Sequence, residues 1–318
     1  MGFVQLILLG PQRPRANAPQ ALAELAATGP IVVIAAGWRH EESEETLLQR
    51  YLGPEARVLP LYGWFDRIMR EREALRETYG ARQDALKDLR VLHRLRLDRA
   101  LAAMRDLLVQ SSDLGRALAQ QALEDVRRID RQLIHQTDAI VEAHGRPWDV
   151  DPLVTEHKQR ARETLEQASV IVLVGGDVAV LRSRLEFFGV GPVLSEQYRR
   201  GTVLVAWSAG AMALTERIVL FYDDPPDGPA NSEVFDRGEE LVPGLVLLPH
   251  ARQRLRLDDP QRVRLLARRF APSTCLGLEN GAWLVQTSEG WFNRGPARSA
   301  TRLDLDGRAE ILPVWGAR

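Results

Sequence analysis

Short runs of Val, Ile and Leu alternate with amphipathic stretches in this chain, and this alternation limits the fold more than any other feature. From residue 3 to residue 61 three apolar runs are separated by two stretches with helical periodicity. The same rhythm returns between residues 169 and 270. Strands that are apolar throughout are typical of a parallel sheet covered by helices on both faces. The pattern predicts an α/β fold with a doubly wound, mostly parallel sheet.

A long charged segment interrupts this alternation. Residues 64–150 contain no proline before Pro147, and charges of both signs are dense. Apolar residues recur at helical spacing on both sides of a break at residues 111–115. We predict a long inserted α-helical hairpin, called the arm below, with Gly80 as a second candidate break and with Asp113 or a preceding serine as the cap of its second helix. The predicted domains are a core, residues 1–63 and 151–318, and the arm, residues 64–150.

The role of the arm stays open between three interpretations. A packing element or a homodimer contact would use the same apolar stripe. The third interpretation is a lid over an active site.

Charge and cysteine content exclude several classes of protein. The 42 Lys and Arg balance 43 Asp and Glu, so bulk charge gives no reason to expect a nucleic acid or a membrane surface as partner. The apolar N-terminal run meets Gly10 and Pro11, too early to span a membrane, and is interpreted as a buried strand. The single cysteine, Cys275, has no internal disulfide partner, so we expect a reducing, cytoplasmic location.

The most informative segment is an apolar strand, residues 202–206, that runs into Trp207-Ser208-Ala209-Gly210-Ala211. A nucleophilic serine on a tight turn between a strand and a helix needs small neighbours, because the backbone is strained and the flanking elements lie close together. Ser208 is therefore the predicted nucleophile. For this segment alone, a serine that only caps a helix explains the residues equally well.

A second turn, Gly175-Gly176-Asp177, also follows a buried strand. Acyl transfer needs backbone N–H groups that stabilise the oxyanion of a tetrahedral intermediate. We predict the amides of Gly176 and Ala209 for this role. Asp177 is a predicted substrate contact.

His250 is the predicted general base, because it follows the apolar run of residues 245–248 at another strand end. The other histidines lie in the arm, in the helix after it or in an acidic loop, and we expect them at the surface. A carboxylate must orient the imidazole, and Asp223 or Asp224 in the loop after the next strand is the candidate. An exposed turn is the alternative explanation of these aspartates.

These motifs resemble the serine peptidases of the dipeptidase E and cyanophycinase family, whose fold is similar to that of class I glutamine amidotransferases. The resemblance rests on Trp-Ser-Ala-Gly-Ala at 207–211, on the Gly-Gly-Asp turn and on Pro249-His250. The run from His250 to Leu257 and the segment Gly277-Leu278-Glu279-Asn280-Gly281-Ala282 are similar to motifs of the cyanophycinase branch. The arm is not part of the usual family pattern.

The resemblance implies a Ser-His-Asp hydrolase that cleaves a small peptide or isopeptide through an acyl-enzyme, with no cofactor and no metal. Two positions depart from the family: Val178 replaces a substrate-binding Gln, and Ala206 replaces the first glycine of the elbow. Arg254 and Arg256 are expected to pair with a substrate carboxylate, or equally to belong to a basic helix surface. The alternative function is an inactive family member that binds a partner through its arm.

Overall fold

The computed structural model describes residues 5–25, 29–110, 112–221, 231–287 and 290–314. Within these ranges, no helix combines the length and the apolar character that a membrane span requires. The strands are β1 (Leu6–Leu9), β2 (Ile31–Ile34), β3 (Ala56–Val58), β4 (Val170–Leu173), β5 (Val203–Trp207), β6 (Arg217–Leu220), β7 (Glu233–Arg237), β8 (Leu245–Pro249), β9 (Thr274–Leu278), β10 (Trp283–Thr287), β11 (Gly290–Asn293), β12 (Ala300–Leu303) and β13 (Ala309–Ile311).

Helices separate most of these strands. The α-helices are α1 (Ala18–Leu25), α2 (Glu45–Leu52), α3 (Leu61–Glu71), α4 (Glu73–Leu108), α5 (Asp113–His144), α6 (Pro152–Glu166), α7 (Val178–Phe188), α8 (Val190–Arg199), α9 (Ala209–Ala213), α10 (Ala251–Arg254) and α11 (Pro260–Phe270). Segments Ala36–Ser43, Pro147–Val150 and Ala297–Ser299 form 3₁₀ helices.

The central sheet has the strand order β11-β10-β1-β5-β4-β2-β3 among the described residues. The five strands from β1 to β3 in this order are parallel, and β10 and β11 extend the sheet in antiparallel pairing. Leu6 and Leu8 of β1 pack into one apolar core, whereas Ile7 and Leu9 pack into a second core on the opposite face. Both faces are therefore covered, which explains why these strands are apolar throughout. The predicted α/β fold with a mainly parallel sheet is confirmed.

The strands that follow the serine turn correct one part of the sequence interpretation. We expected the runs at 218–221 and 245–248 to continue the same sheet. Instead, β6 pairs with β7, and β8 pairs in parallel with β9 at the edge of a separate sheet, ordered β13-β12-β9-β8. The position beside β1, on the side away from β5, is occupied by β10, which pairs with β1 in antiparallel orientation.

The arm forms the predicted antiparallel hairpin. Helix α4 runs through Gly80 without a break, and α5 begins after Ser112, whose hydroxyl accepts a hydrogen bond from the Gly115 amide (3.0 Å). A single glycine destabilises a helix by only about 1 kcal/mol, which is too little to break a helix of 36 residues. Leu97, Leu101, Met104, Leu123, Val126 and Ile129 form the core between the two helices.

Ion pairs connect the arm to the core domain. The Arg269 guanidinium donates two hydrogen bonds to the Asp130 carboxylate (2.7 and 2.6 Å), and both side chains are buried. Arg82 forms a second bidentate pair with Glu186 of α7 (3.1 and 2.8 Å). The arm therefore lies against α7, β7 and α11.

Candidate active site

Ser208 occupies a strained turn at the end of β5. Its backbone angles are φ 51° and ψ −120°, a region that residues with a side chain rarely adopt. The Ser208 amide donates a hydrogen bond to the Leu9 carbonyl (3.1 Å), which ties the turn to β1. The hydroxyl makes no capping bond to α9. The helix-cap explanation therefore fails, and strain of this kind is typical of functional sites.

The small residues around Ser208 are required by close packing. A Cβ on Gly210 would lie 2.2 Å from the Leu173 carbonyl oxygen, and a Cβ on Gly175 would lie 3.0 Å from the Ser208 Cβ. Ala206, which replaces the first glycine of the elbow, is fully buried between β1 and β4. The extra methyl group fits there because Ala206 is still a regular residue of β5.

His250 reaches the same region from a different sheet. It follows β8, has a left-handed backbone (φ 59°, ψ 35°), and its amide donates to the Leu278 carbonyl (2.8 Å). Parallel strands β8 and β9 end side by side, because Pro249 is aligned with Leu278. Ser208 and His250 both line one open cleft of about 370 Å³. The sequence placed both residues at strand ends, and the cleft brings those ends together.

The surroundings of His250 favour a neutral imidazole. Burial lowers the pKa of His250 below its ordinary value of 6.5, and the positive charge of Arg254 lowers this pKa further, whereas Glu279 raises it. A general base must be unprotonated to accept a proton. His250 is therefore in the correct protonation state at neutral pH.

Two backbone amides near Ser208 are available as donors. Gly176 has φ 118°, and a Cβ there would lie 2.5 Å from the Gly37 carbonyl oxygen, so the turn requires glycine. Within the described part of the chain, the amides of Gly176 and Ala209 have no hydrogen-bond acceptor. Gly175 and Gly176 line the cleft together with Ser208. An oxyanion hole needs N–H groups that are free to donate, and these two amides meet that requirement.

The walls of the cleft include residues that the sequence interpretation did not single out. They come from the loop after β1, from the 3₁₀ helix after β2 and from α2. No motif identifies them, because they lie in loops and helices without a characteristic spacing. These residues are Pro11, Gln12, Arg13, Gly37, Trp38, Glu41 and Tyr51.

The described residues that line the cleft include none from the arm. Ser208 is half-buried and open to the cleft, so neither Trp207 nor the arm blocks it. The lid interpretation of the arm therefore has no support in this geometry. A Ser208 blocked by Trp207 or the arm would be one sign of an inactive family member, and the described residues do not show it.

Asp223 and Asp224, the predicted partners of His250, lie outside the described residues. Among the described carboxylates, Glu279 contributes to the pKa of His250. It follows β9 directly, just as His250 follows the adjacent strand β8, and its Oε1 accepts a hydrogen bond from the Arg252 amide (2.8 Å). Glu279, like His250, follows a buried strand directly, and this position is the signal in the sequence that marks it as a candidate site residue.

The three predicted substrate contacts do not line the cleft. Asp177 Oδ1 accepts hydrogen bonds from the amides of Ala179 and Val180, and Oδ2 accepts one from Arg39. Arg254 is close enough to influence His250, and its guanidinium lies 5.8 Å from the Phe221 ring. Arg256 lies 3.7 Å from Asp259 and borders a different, small apolar cavity.

Two of the other histidines are not at the surface, contrary to expectation. His93 and His157 are buried, with exposed fractions of 4% and 2%. His93 lies close enough to Asp130 of α5 and Arg269 of α11 for their charges to act on it, and His157 stacks on Trp64 with the ring centroids 4.6 Å apart. Their amphipathic positions place them against neighbouring helices, which the periodicity of single helices does not reveal.

The chain is similar to solved structures of other proteins. The chain resembles the crystal structure of a peptidase from an acI-B1 Actinobacterium, with a TM-score of 0.51 and 15% identity over 99% of this chain and 97% of that chain. A weaker likeness, to a candidate peptidase E protein from Listeria monocytogenes EGD-e, has a TM-score of 0.32 and 16% identity over 43% of this chain and 65% of that one. No protein with a curated description matches the chain.

The first of these structures shares the fold of this chain. The model of peptidase family S51 matches residues 127–292. The match begins within α5, so it includes the second half of that helix as well as the residues around Ser208 and His250. The chain therefore belongs to peptidase family S51 and is a peptidase-type hydrolase.

Proposed function

We propose that this chain is a serine peptidase in which Ser208 is the nucleophile and His250 is the general base. The observation that carries the proposal is the common cleft. Ser208 and His250 come from two different sheets, both have positive φ angles, and both line the same cavity. Strained residues with complementary chemistry that meet in one cleft are typical of an active site.

In this mechanism the Ser208 Oγ attacks the carbonyl carbon of the scissile amide while its proton passes to His250. The negative charge on the carbonyl oxygen is stabilised by the N–H groups of Gly176 and Ala209. When the intermediate collapses, the C–N bond breaks, and the leaving amine takes the proton from His250. Water then attacks the acyl-enzyme ester with His250 again as base, which releases the acid and restores Ser208.

We propose a small peptide or isopeptide with an acidic residue at the scissile position as the substrate class. The family resemblance supports this class, and so does Arg13, which lines the cleft. Guanidinium groups bind carboxylates well. A panel of dipeptides with Asp, Asn or Lys at the scissile position, assayed for product by mass spectrometry, tests the proposal. Faster cleavage of the Asp peptides is expected, and equal rates would contradict the acidic preference.

The carboxylate that completes the triad has candidates in two regions of the chain. The resemblance favours Asp223, with Asp224 beside it, and the position of Glu279 at the end of β9 favours the glutamate. The substitutions Asp223→Asn, Asp224→Asn and Glu279→Gln separate them. The variant that lowers kcat about 10⁴-fold at unchanged fold identifies the orienting carboxylate, since loss of this group elsewhere has an effect of that order.

A serine-directed fluorophosphonate reagent tests the proposal itself. We expect covalent labelling of the wild type, loss of labelling in Ser208→Ala, and strong reduction in His250→Ala. Thermal unfolding of each variant serves as the control for folding. Wild-type protein that is folded but not labelled, or equal labelling of Ser208→Ala, would contradict the proposal.

We also propose a cytoplasmic location. Cys275 is the single cysteine of the sequence, it is buried, and burial raises the pKa of its thiol to about 12. A chain without disulfides needs no oxidising compartment to fold. Fractionation of the native host and immunodetection of the chain test this location, and recovery outside the cytoplasmic fraction would contradict it.

A further inference from the structure

Arg39 shares an unusual backbone conformation with the proposed nucleophile. Within the described residues, four residues other than glycine have positive φ angles: Arg39, Ser208, Glu240 and His250. Arg39 has φ 58° and ψ −125°, and Ser208 has φ 51° and ψ −120°. Conformations of this kind are unfavourable for residues with a Cβ and persist where the surrounding structure enforces them, often at functional sites. Two of the four are the proposed nucleophile and base, so the strain at Arg39 calls for an explanation.

Arg39 lies next to the cleft and contacts the Gly175-Gly176-Asp177 turn. It belongs to the 3₁₀ helix after β2, where Gly37 and Trp38 line the cleft. Its Nη2 donates to Asp177 Oδ2 at 2.5 Å. Asp177 directly follows Gly176, whose amide is one of the proposed oxyanion donors. The guanidinium is therefore connected to this donor through a single residue.

Asp177 is held from three directions. Its Oδ1 accepts the amides of Ala179 and Val180 at the start of α7, and its own amide donates to the Gly37 carbonyl (2.8 Å). Arg39 occupies the remaining oxygen. The Asp177 side chain thus joins α7, the turn of Gly176 and the 3₁₀ helix at one point.

The two loops are also in direct contact. A Cβ on Gly176 would lie 2.5 Å from the Gly37 carbonyl oxygen and 2.9 Å from Cδ1 of Trp38. A Cβ on Gly37 would lie 3.0 Å from the Asp177 carbonyl oxygen. Because the backbones touch, a shift of the 3₁₀ helix moves the peptide unit of Gly176. The direction of the Gly176 N–H then depends on what holds the two loops together.

We propose that Arg39 is a positioning residue for the oxyanion hole. Its pairing with Asp177 holds the Gly176 N–H in the direction of the developing oxyanion. The inference rests on the proposed function of Ser208. The pair is too exposed to stabilise the fold strongly, with 58% of the Arg39 side chain and 32% of the Asp177 side chain accessible. The ion pair stabilises the fold too little to offset the unfavourable backbone conformation of Arg39, and strain of this kind is typical of functional sites.

The substitution Arg39→Gly separates positioning from stability. Glycine removes the guanidinium and also relieves the unfavourable φ angle. We expect an unchanged or higher Tm and an unchanged half-saturating concentration of the reagent. The maximal rate of fluorophosphonate labelling should fall roughly 10- to 100-fold. Loss of an oxyanion donor lowers the rate of catalysis about 10²- to 10³-fold, and displacement of the donor should cause part of that loss. Arg39→Lys is expected to restore part of the rate, because an ammonium group retains the charge.

Asp177→Asn is the second variant of the experiment. Asparagine retains a side-chain oxygen for the cap of α7 and loses the charge that pairs with Arg39. The double variant with Arg39→Gly is expected to be no slower than the slower single variant, because both act through one contact. Glu240→Gly is the matched control. It relieves a φ of 56° at a residue that does not line the cleft, and labelling is expected at the wild-type rate.

Three results would overturn the inference. Labelling of Arg39→Gly at the wild-type rate would show that the pair does not position the donor. A higher half-saturating concentration of the reagent with an unchanged maximal rate would show that Arg39 contacts the ligand directly. A large fall in Tm that accounts for the lost rate would show a structural role. Failure of the proposed function is distinguishable from these three results, because the wild type would then not be labelled at Ser208.

Discussion

The amide of His250 donates a hydrogen bond to the carbonyl oxygen of Leu278 (2.8 Å), so that His250 and Glu279 leave two adjacent parallel strands side by side. A positive charge from Arg254 and a negative charge from Glu279 therefore act on the same imidazole. The first prediction follows from the opposite signs of these two effects.

The pH dependence of fluorophosphonate labelling is expected to report the protonation of His250. In the proposed mechanism labelling requires neutral imidazole, so the rate rises with pH, with its midpoint below 6.5 because burial lowers the pKa of His250. In Arg254→Gln a cation is removed, the imidazolium becomes more favourable, and the midpoint moves to higher pH. In Glu279→Gln it moves to lower pH. Rates measured from pH 5 to pH 9 test this prediction.

Arg252→Gln is the control for this series, because Arg252 does not contribute to the pKa of His250. Its midpoint is expected to match the wild type. A midpoint that moves in the same direction in Arg254→Gln and Glu279→Gln would contradict the electrostatic explanation.

Glu42 is expected to make stability depend on pH. Burial raises the pKa of Glu42 from 4.5 to about 7, although its Oε2 accepts the Gly63 amide (3.0 Å). The folded state therefore binds this proton more tightly than the unfolded state does. The resulting stability is fully present below pH 4.5 and is lost as pH rises through 7, by about 3 kcal/mol in total. Relative to the wild type, Glu42→Gln should gain stability above pH 7.

Urea unfolding at pH 5 and pH 8 measures this difference. The exposed neighbour Glu41 supplies the control, since Glu41→Gln should follow the pH dependence of the wild type. A free-energy difference between Glu42→Gln and the wild type that is the same at both pH values would disprove the prediction.

Loss of Asp130 is expected to destabilise the protein strongly. Its carboxylate is the bidentate partner of buried Arg269. Asp130→Ala leaves a buried guanidinium without its counter-charge, which costs about 3–5 kcal/mol in comparable pairs. Replacement of both partners, as in Asp130→Leu with Arg269→Met, should recover much of this loss because no charge then remains buried.

Chemical unfolding measures these stabilities, and fluorophosphonate labelling below the unfolding transition measures the active site. The labelling rate of folded Asp130→Ala should equal that of the wild type, because the described residues of the cleft include none from the arm. A much lower rate in folded protein would show that the arm acts on the site after all.

Gly80 offers a stabilising substitution. It lies inside the continuous helix α4, and a Cβ there would meet no atom within 4 Å. Gly80→Ala should therefore raise the free energy of unfolding by about 0.5–1 kcal/mol. Gly210→Ala should do the opposite and also reduce labelling, because its Cβ would lie 2.2 Å from the Leu173 carbonyl oxygen. Thermal unfolding of both variants compares the two, and a lower Tm for Gly80→Ala would refute the first expectation.

The alternation of strands and helices in the core, the hairpin of the arm and the turn at Ser208 were accessible from the sequence. These features depend on local periods of hydrophobicity and on small residues at fixed spacing, which neighbouring positions determine. His250 was identified in the same way, from its place after an apolar run. A polar residue directly after a buried strand has a high chance of reaching an active site in a fold of this kind.

Only the tertiary structure decided which strand ends meet and which loops touch. The sequence did not show that β8 belongs to a separate sheet, that Glu279 lies beside His250, or that Arg39 reaches Asp177 across 138 residues. Strand pairing and contacts between loops depend on the packing of the whole chain, because each partner is chosen from many with similar local preferences. Local periodicity therefore determined the elements, and long-range packing determined the site that they form.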